Sequence, residues 1–268
     1  MRALIAGLGL IGGSIGIALR ARGWHVMYLD PHVEVEDARR AGAADERVAS
    51  LESSQVVDVA IVATPVDVAL TLLGDAAEIP GDVPEGGQRG AAFAGTTTIT
   101  TACSVMAPFA HGRVVSGHPL AGSQERSLAA ARGDLFDGKR WFIHRDDAAV
   151  ERLIHDCGAT PERVDPTEHD RAVAMTSHLP QVLSTALAAS IDESMLRFAG
   201  SGLQTFLRLA GSDAGVWSSV ITANRDNILG QAGPFLTTVN AILAGDVEAF
   251  ARAQQLVKKM KDDEKDEG

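Results

Sequence analysis

The chain has 268 residues, 46% of them hydrophobic, a formal net charge of −11 and two cysteines, Cys103 and Cys157. That length holds two compact units or one large one with a substantial core. The charge argues against a general nucleic-acid or anionic-membrane surface, no apolar run is long enough to span a bilayer, and two cysteines with no CxxC and no signal-like start point to a reducing cytoplasm.

The first element is the most informative. Arg2 to Ala6 reads as a short apolar strand, followed by Gly7-Leu8-Gly9-Leu10-Ile11-Gly12 and a helical stretch from about Ile11 to Arg22. Strand, glycine turn and helix in this order form a dinucleotide-binding fingerprint. Gly7 permits the tight turn, Gly9 lets the backbone approach a pyrophosphate, and Gly12 lets helix and strand pack closely. The phosphates would sit at the helix start, around Leu10 and Ile11, where amides and the helix dipole favour negative charge. A second strand, His25 to Leu29, ends at Asp30. A carboxylate there accepts from both ribose hydroxyls of NAD and repels the extra phosphate of NADP.

Further along, Val57 to Ala63 predicts a third strand and Asp67 to Ala77 an amphipathic helix, so the pattern alternates as a parallel sheet wrapped by helices requires. Thr64 and Pro65 fall at that strand's end, where a doubly wound sheet forms its ligand crevice. Residues 80–90, dense in Gly, Pro and charge, read as a surface loop. Strands are expected at about Arg113 to Ser116 and Trp141 to His144, bracketing a loop and helix with Gly117-His118-Pro119-Leu120-Ala121-Gly122.

At Asp165-Pro166-Thr167-Glu168 an N-cap acid and a proline at the first helical position announce a long helix. From there to Lys261 only helix signals follow. The expected division is 1–164 for the dinucleotide-binding domain and 165–268 for a helical domain. Pro180 lacks the amide that would bond the carbonyl of Thr176, so the first of these helices should kink beside His178. Residues 258–268 read as a solvated, fraying tail.

Three segments carry substrate chemistry: Ser116 to Ser123 around His118-Pro119, Thr176-Ser177-His178-Leu179-Pro180-Gln181, and Phe206 to Trp217 with Arg208. Together with Ala223-Asn224-Arg225 they resemble the prephenate and arogenate dehydrogenases of tyrosine biosynthesis, from Met1 to about residue 255. The resemblance implies an α/β fold, with an N-terminal Rossmann-type doubly wound parallel sheet and an all-α C-terminal dimerisation domain. It implies NAD-dependent oxidative decarboxylation of a small-molecule substrate by a cytoplasmic homodimer, with no metal, nucleic acid or membrane involved. A base must take the hydroxyl proton as hydride leaves, and neutral imidazole suits this near pH 7.

By the resemblance that base is His118, and Arg208 is the substrate's cation, expected to be partly buried among Leu207, Leu209 and Ala210. His178 and Gln181 would line the same pocket, Gln181 standing where the family commonly has a second histidine, and Trp217 would pack near the substrate or at the helix interface. The family's Asp-x-Gly-Ser-x-Lys stretch aligns with Phe93 to Thr98. Thr96 then supplies the serine's hydroxyl beside the catalytic histidine, while Phe93 and Thr98 lose the acid and the lysine. Gln124 and Thr205 stand where the family has acids. Other NAD(P)-linked reductases with a helical second domain are the alternative enzymes. Those of the β-hydroxyacid type need a lysine that residues 140–257 lack. A catalytically silent NAD-binding protein is the non-enzymatic alternative.

Overall fold

In the computed structural model, residues 1–50, 56–77, 96–122 and 127–266 are described. The expected 80–90 loop, Phe93 and Gln124 lie outside them. The first unit runs β1 (Arg2–Ala6), α1 (Leu10–Ala21), β2 (His25–Leu29), α2 (Val35–Arg40), β3 (Glu46–Arg47), β4 (Val57–Val62), α3 (Val66–Ala77), β5 (Thr96–Thr101) and β6 (Val114–Val115). These strands form one sheet in the order β3-β2-β1-β4-β5-β6, with every neighbouring pair parallel. Strand order reverses between β1 and β4, which opens a crevice at the strands' carboxyl ends.

Alternation along the strands builds two cores, one on each face. Ala3, Ile5, Val59 and Ile61 pack with Ile15 and Leu19 of α1. Leu4, Ala6, Ala60 and Val62 face the other way, onto Ala69 and Leu73 of α3.

A second, smaller sheet follows. It contains β7 (Gly117–Pro119), β8 (Arg140–Ile143) and, after α4 (Ala148–Asp156), β9 (Thr160–Arg163). β7 pairs antiparallel with β8, setting His118 opposite Phe142. The His-Pro segment is therefore strand rather than the expected loop, and a rigid partner strand fixes the direction of the His118 side chain.

The helical part begins with α5 (Pro166–Val173). Asp165 caps it, accepting from the Thr167 and Glu168 amides at 3.0 and 2.9 Å. A π-helical turn, Ala174–His178, joins α5 to α6 (Leu179–Ser190). The bulge absorbs Pro180, whose missing amide would interrupt a regular ladder. α7 (Ser201–Leu207), a 3₁₀ turn at Arg208–Gly211, α8 (Ala214–Ala223), α9 (Arg225–Leu243) and α10 (Val247–Asp266) complete it. Of the stretch expected as a solvated, fraying tail, residues 258–266 continue α10. α8 lies against α3, and its Val220 enters the sheet's second core.

Candidate active site

The glycine turn is shaped for a close-approaching ligand. Gly7 has φ +90°, and a Cβ there would stand 2.7 Å from the Ala63 carbonyl; a Cβ on Gly12 would fall 1.9 Å from the Gly7 carbonyl. Both positions therefore exclude any side chain. α1 has Gly9 at its N-cap, no side-chain cap and no acid in its first turn. Its first intrahelical bond runs from Gly13 N to Gly9 O at 2.8 Å, so the Leu10, Ile11 and Gly12 amides point past the helix end. Asp30 stitches this turn to β2: its carboxylate accepts from Leu8 N and from His32 N, each at 2.8 Å.

A cavity of about 740 Å³ runs along the strand ends, lined by Gly7, Gly9, Leu10, Ile11, Asp30, Thr64, Pro65, Ser104 and His118 among others. A second, of about 610 Å³, shares Gly9 and Asp30 and extends over His32, Arg40 and Leu128. Two cavities meeting at a bare helix N-terminus and a carboxylate fit a dinucleotide, with pyrophosphate at Gly9 and a ribose at Asp30.

His118 faces the larger cavity, partly exposed. Behind it, His118 Nδ1 stands 2.9 Å from His169 Nε2, and His169 Nδ1 stands 2.8 Å from Asp170 Oδ1. His169 and Asp170 are 3% and 2% exposed, so this chain is sealed from solvent on its inner side. Asp170 also accepts from the Met106 and Ala107 amides at 2.8 and 2.9 Å, which ties α5 to the end of the first unit.

A carboxylate can only accept, so His169 carries a proton on Nδ1; when neutral, its Nε2 accepts from His118 Nδ1–H. His118 Nε2 is then a lone pair facing the cavity. Burial, with the neighbouring His169 and His178 imidazoles, pushes the His118 pKa down to about 3. The ring is neutral, hence a proton acceptor, at physiological pH. Burial likewise lowers His178 to about 4, against the raising effect of Asp170.

The model of the nucleotide-binding domain of prephenate dehydrogenase matches residues 15–153, and that of the dimerization domain of prephenate dehydrogenase matches residues 165–262. The chain belongs to the prephenate dehydrogenase family. A probable prephenate dehydrogenase, NovF, of Streptomyces niveus is 32% identical over 271 residues, covering 91% of this chain and 70% of that protein. The prephenate dehydrogenase of A. aeolicus, solved with hydroxyphenyl propionate and NAD+, superposes with a TM-score of 0.79 at 23% identity, covering 97% and 98% of the two chains. Synechocystis arogenate dehydrogenase gives 0.73 at 21%, covering 98% and 99%.

Within this prephenate dehydrogenase fold, Thr96, expected beside His118, lies at the far end of a strand from the crevice. Thr96 opens β5, opposite Val57 at the start of β4, and is 5% exposed. Five residues of extended strand, about 16 Å, separate it from the crevice end. Thr98 lies inside the same strand. At the strand's end, Ala102, Cys103 and Ser104 line the cavity, and Ser104 brings a hydroxyl to it. If Ser104 took the place of the family's serine, Thr101 and Met106 would stand where its acid and lysine are.

His178, Gln181, Arg208 and Trp217 lie outside the cavity's lining. His178 is fully buried, its ring 5.9 Å from that of Trp217 and edge-on to it. Trp217 is wedged against the sheet's second core. Gln181 is 3% exposed, and its Nε2 donates to Leu209 O at 2.9 Å and Thr185 Oγ1 at 3.2 Å, which anchors the turn carrying Arg208. Arg208 itself is exposed, not partly buried as expected, because that 3₁₀ turn sits on the outer face of the helices. His169 and Asp170 were not singled out by sequence, although a buried His-Asp pair on the first turns of a capped helix is a signal worth weighing.

Proposed function

We propose that the chain oxidises and decarboxylates prephenate, or its amino counterpart arogenate, with NAD, as a homodimeric cytoplasmic enzyme of tyrosine biosynthesis. The observation that carries this reading is the His118–His169–Asp170 chain, which ends at a dinucleotide-shaped cavity with an imidazole lone pair. Family membership supplies the substrate class, and the exposed apolar faces of the helices support the dimer. On this reading Gly7, Gly9, Leu10, Ile11 and Gly12 hold the pyrophosphate, Asp30 the ribose, and Thr64 and Pro65 the wall beside the nicotinamide.

NAD held by these residues would supply the acceptor for the hydride of the hydroxyl-bearing ring carbon. His118 Nε2 takes the hydroxyl proton in the same event, and the ring carboxylate leaves as carbon dioxide as the ring becomes aromatic. The imidazolium so formed keeps Nδ1–H on His169 and, through it, faces the Asp170 carboxylate, which stabilises the developing charge. A carboxylate-bearing substrate raises the His118 pKa from its depressed value toward the working range, because an opposite charge favours the protonated form. Ser104, in place of Thr96, supplies a hydroxyl beside the reacting groups. The family resemblance assigns the carboxylate contact to Arg208, whose guanidinium fork suits that geometry, and the substrate end to His178, Gln181 and Trp217, although all four lie outside the lining of this cavity.

Measuring NADH formation with prephenate and with arogenate, under NAD and under NADP, tests the proposal. Turnover with one of the two substrates and a higher kcat/KM for NAD are expected. Cofactor binding without oxidation of either substrate would leave only a silent nucleotide-binding protein.

A further inference from the structure

Asn224, at the junction of α8 and α9, is 3% exposed and spends its amide inside the protein. Its Nδ2 donates to the Asp170 backbone carbonyl at 2.7 Å and stands 3.0 Å from His178 Nδ1; its Oδ1 accepts from Asn227 Nδ2 at 2.7 Å. A carbonyl can only accept, so the nitrogen of the amide must lie on the Asp170 side and the flipped amide is ruled out. That same nitrogen turns its other hydrogen to His178 Nδ1. The ring must therefore offer a lone pair there, and a neutral imidazole with Nδ1 bare carries its proton on Nε2. Imidazolium would set two N–H groups face to face.

His178 Nε2 is buried and has no hydrogen-bond partner among the described residues. An unserved buried donor in a native fold calls for an explanation; His178 neighbours His118 but lies outside the cavity's lining, and a substrate atom reaching past His118 would supply the missing acceptor. The titratable groups around His178 are Asp170 and His169 of α5 and His118 of β7; Arg225 and Asp226 of α9 are solvent-exposed.

We infer that Asn224 is a positioning residue, which holds His178 as the neutral tautomer protonated on Nε2 and braces the Asp170 backbone, so that a substrate-binding donor and the His118 chain keep one fixed relation. The kinetic consequence rests on the dehydrogenase reading; the tautomer does not.

The test has two arms on the full-length protein. Proton–nitrogen correlation spectra of isotope-labelled histidine, with His178 assigned by the signal lost in His178→Gln, should show Nε2 protonated and Nδ1 bare from about pH 5 to 8. A proton on Nδ1 in that range would overturn the inference, whatever the activity. Asn224→Asp is isosteric but turns an acceptor toward Nδ1, so the proton should move there. The substrate KM should then rise about tenfold or more with the NAD KM unchanged, and the rate should gain a new limb near neutral pH as His178 titrates. A residue that only stabilises the fold would lower the melting temperature and leave tautomer, KM and pH profile as they were, and that result would also overturn the inference. Absence of turnover by the unaltered protein instead overturns the dehydrogenase reading, and with it the kinetic role alone.

Discussion

His169 Nε2 lies 2.9 Å from His118 Nδ1, with the two rings at 87° to one another. The near-perpendicular packing lets one ring hydrogen-bond the other along its edge, which fixes the first ring's orientation as well as its tautomer.

Replacing either ring should therefore act on turnover. His118→Asn should lower kcat about 100-fold or more with little change in substrate KM, since general-base catalysis contributes 10²–10⁴. His169→Ala, which leaves the base present but unoriented, should cost less, about tenfold or more. Steady-state kinetics decide it; near-normal turnover in His118→Asn would move the base elsewhere.

Ser104 and Thr96 make a paired control, because they stand beyond and at the start of the same strand. Ser104→Ala should reduce kcat by about tenfold, the loss of one hydrogen bond felt mainly in the transition state. Thr96→Ala should leave kcat unchanged and lower stability only. The reverse ranking would make Thr96 the acting hydroxyl.

Stability should fall in mild acid. His118 and His178 are held neutral in the fold, with pKa values pushed down to about 3 and about 4, whereas unfolded histidine protonates near about pH 6.5. Between these limits the unfolded chain binds more protons, so stability rises with pH through the window and is fully present above about 6.5. Urea midpoints taken at about pH 7 and about pH 5 should show a drop that His118→Asn reduces. Equal midpoints in the unaltered protein would refute the buried neutral state.

The helices expose large apolar side chains, among them Phe198 at 76%, Leu243 at 81%, Phe250 at 57% and Val257 at 50%. Phe250 and Val257 line one groove along α10, and such a continuous apolar face marks an association surface. Light scattering should give twice the chain mass at micromolar concentration. Phe250→Asp combined with Val257→Asp should shift the protein toward monomer, whereas an unaltered mass would place the interface elsewhere.

Much of the architecture was legible in the chain itself. The β1–turn–α1 unit, Asp30 at the end of β2, and the Asp165 cap with Pro166 are local devices, in which neighbouring residues satisfy one another's backbone groups and periodicity declares the buried face. β5 carries no such signal, because its Thr-Thr-Thr-Ile-Thr-Thr run shows no apolar alternation, although β-branched residues favour strands. The resemblance therefore set Thr96 in the serine's place, whereas Ser104 is the hydroxyl at the cavity, eight positions further on. What the tertiary structure decided are the contacts between distant segments. His118 meets His169 across 51 residues, and Asn224 meets Asp170 across 54 and His178 across 46. Residues so far apart in the chain share no periodic or capping signal, and their hydrogen bonds exist only because α5 and α8 dock against the first unit and α9 packs on both.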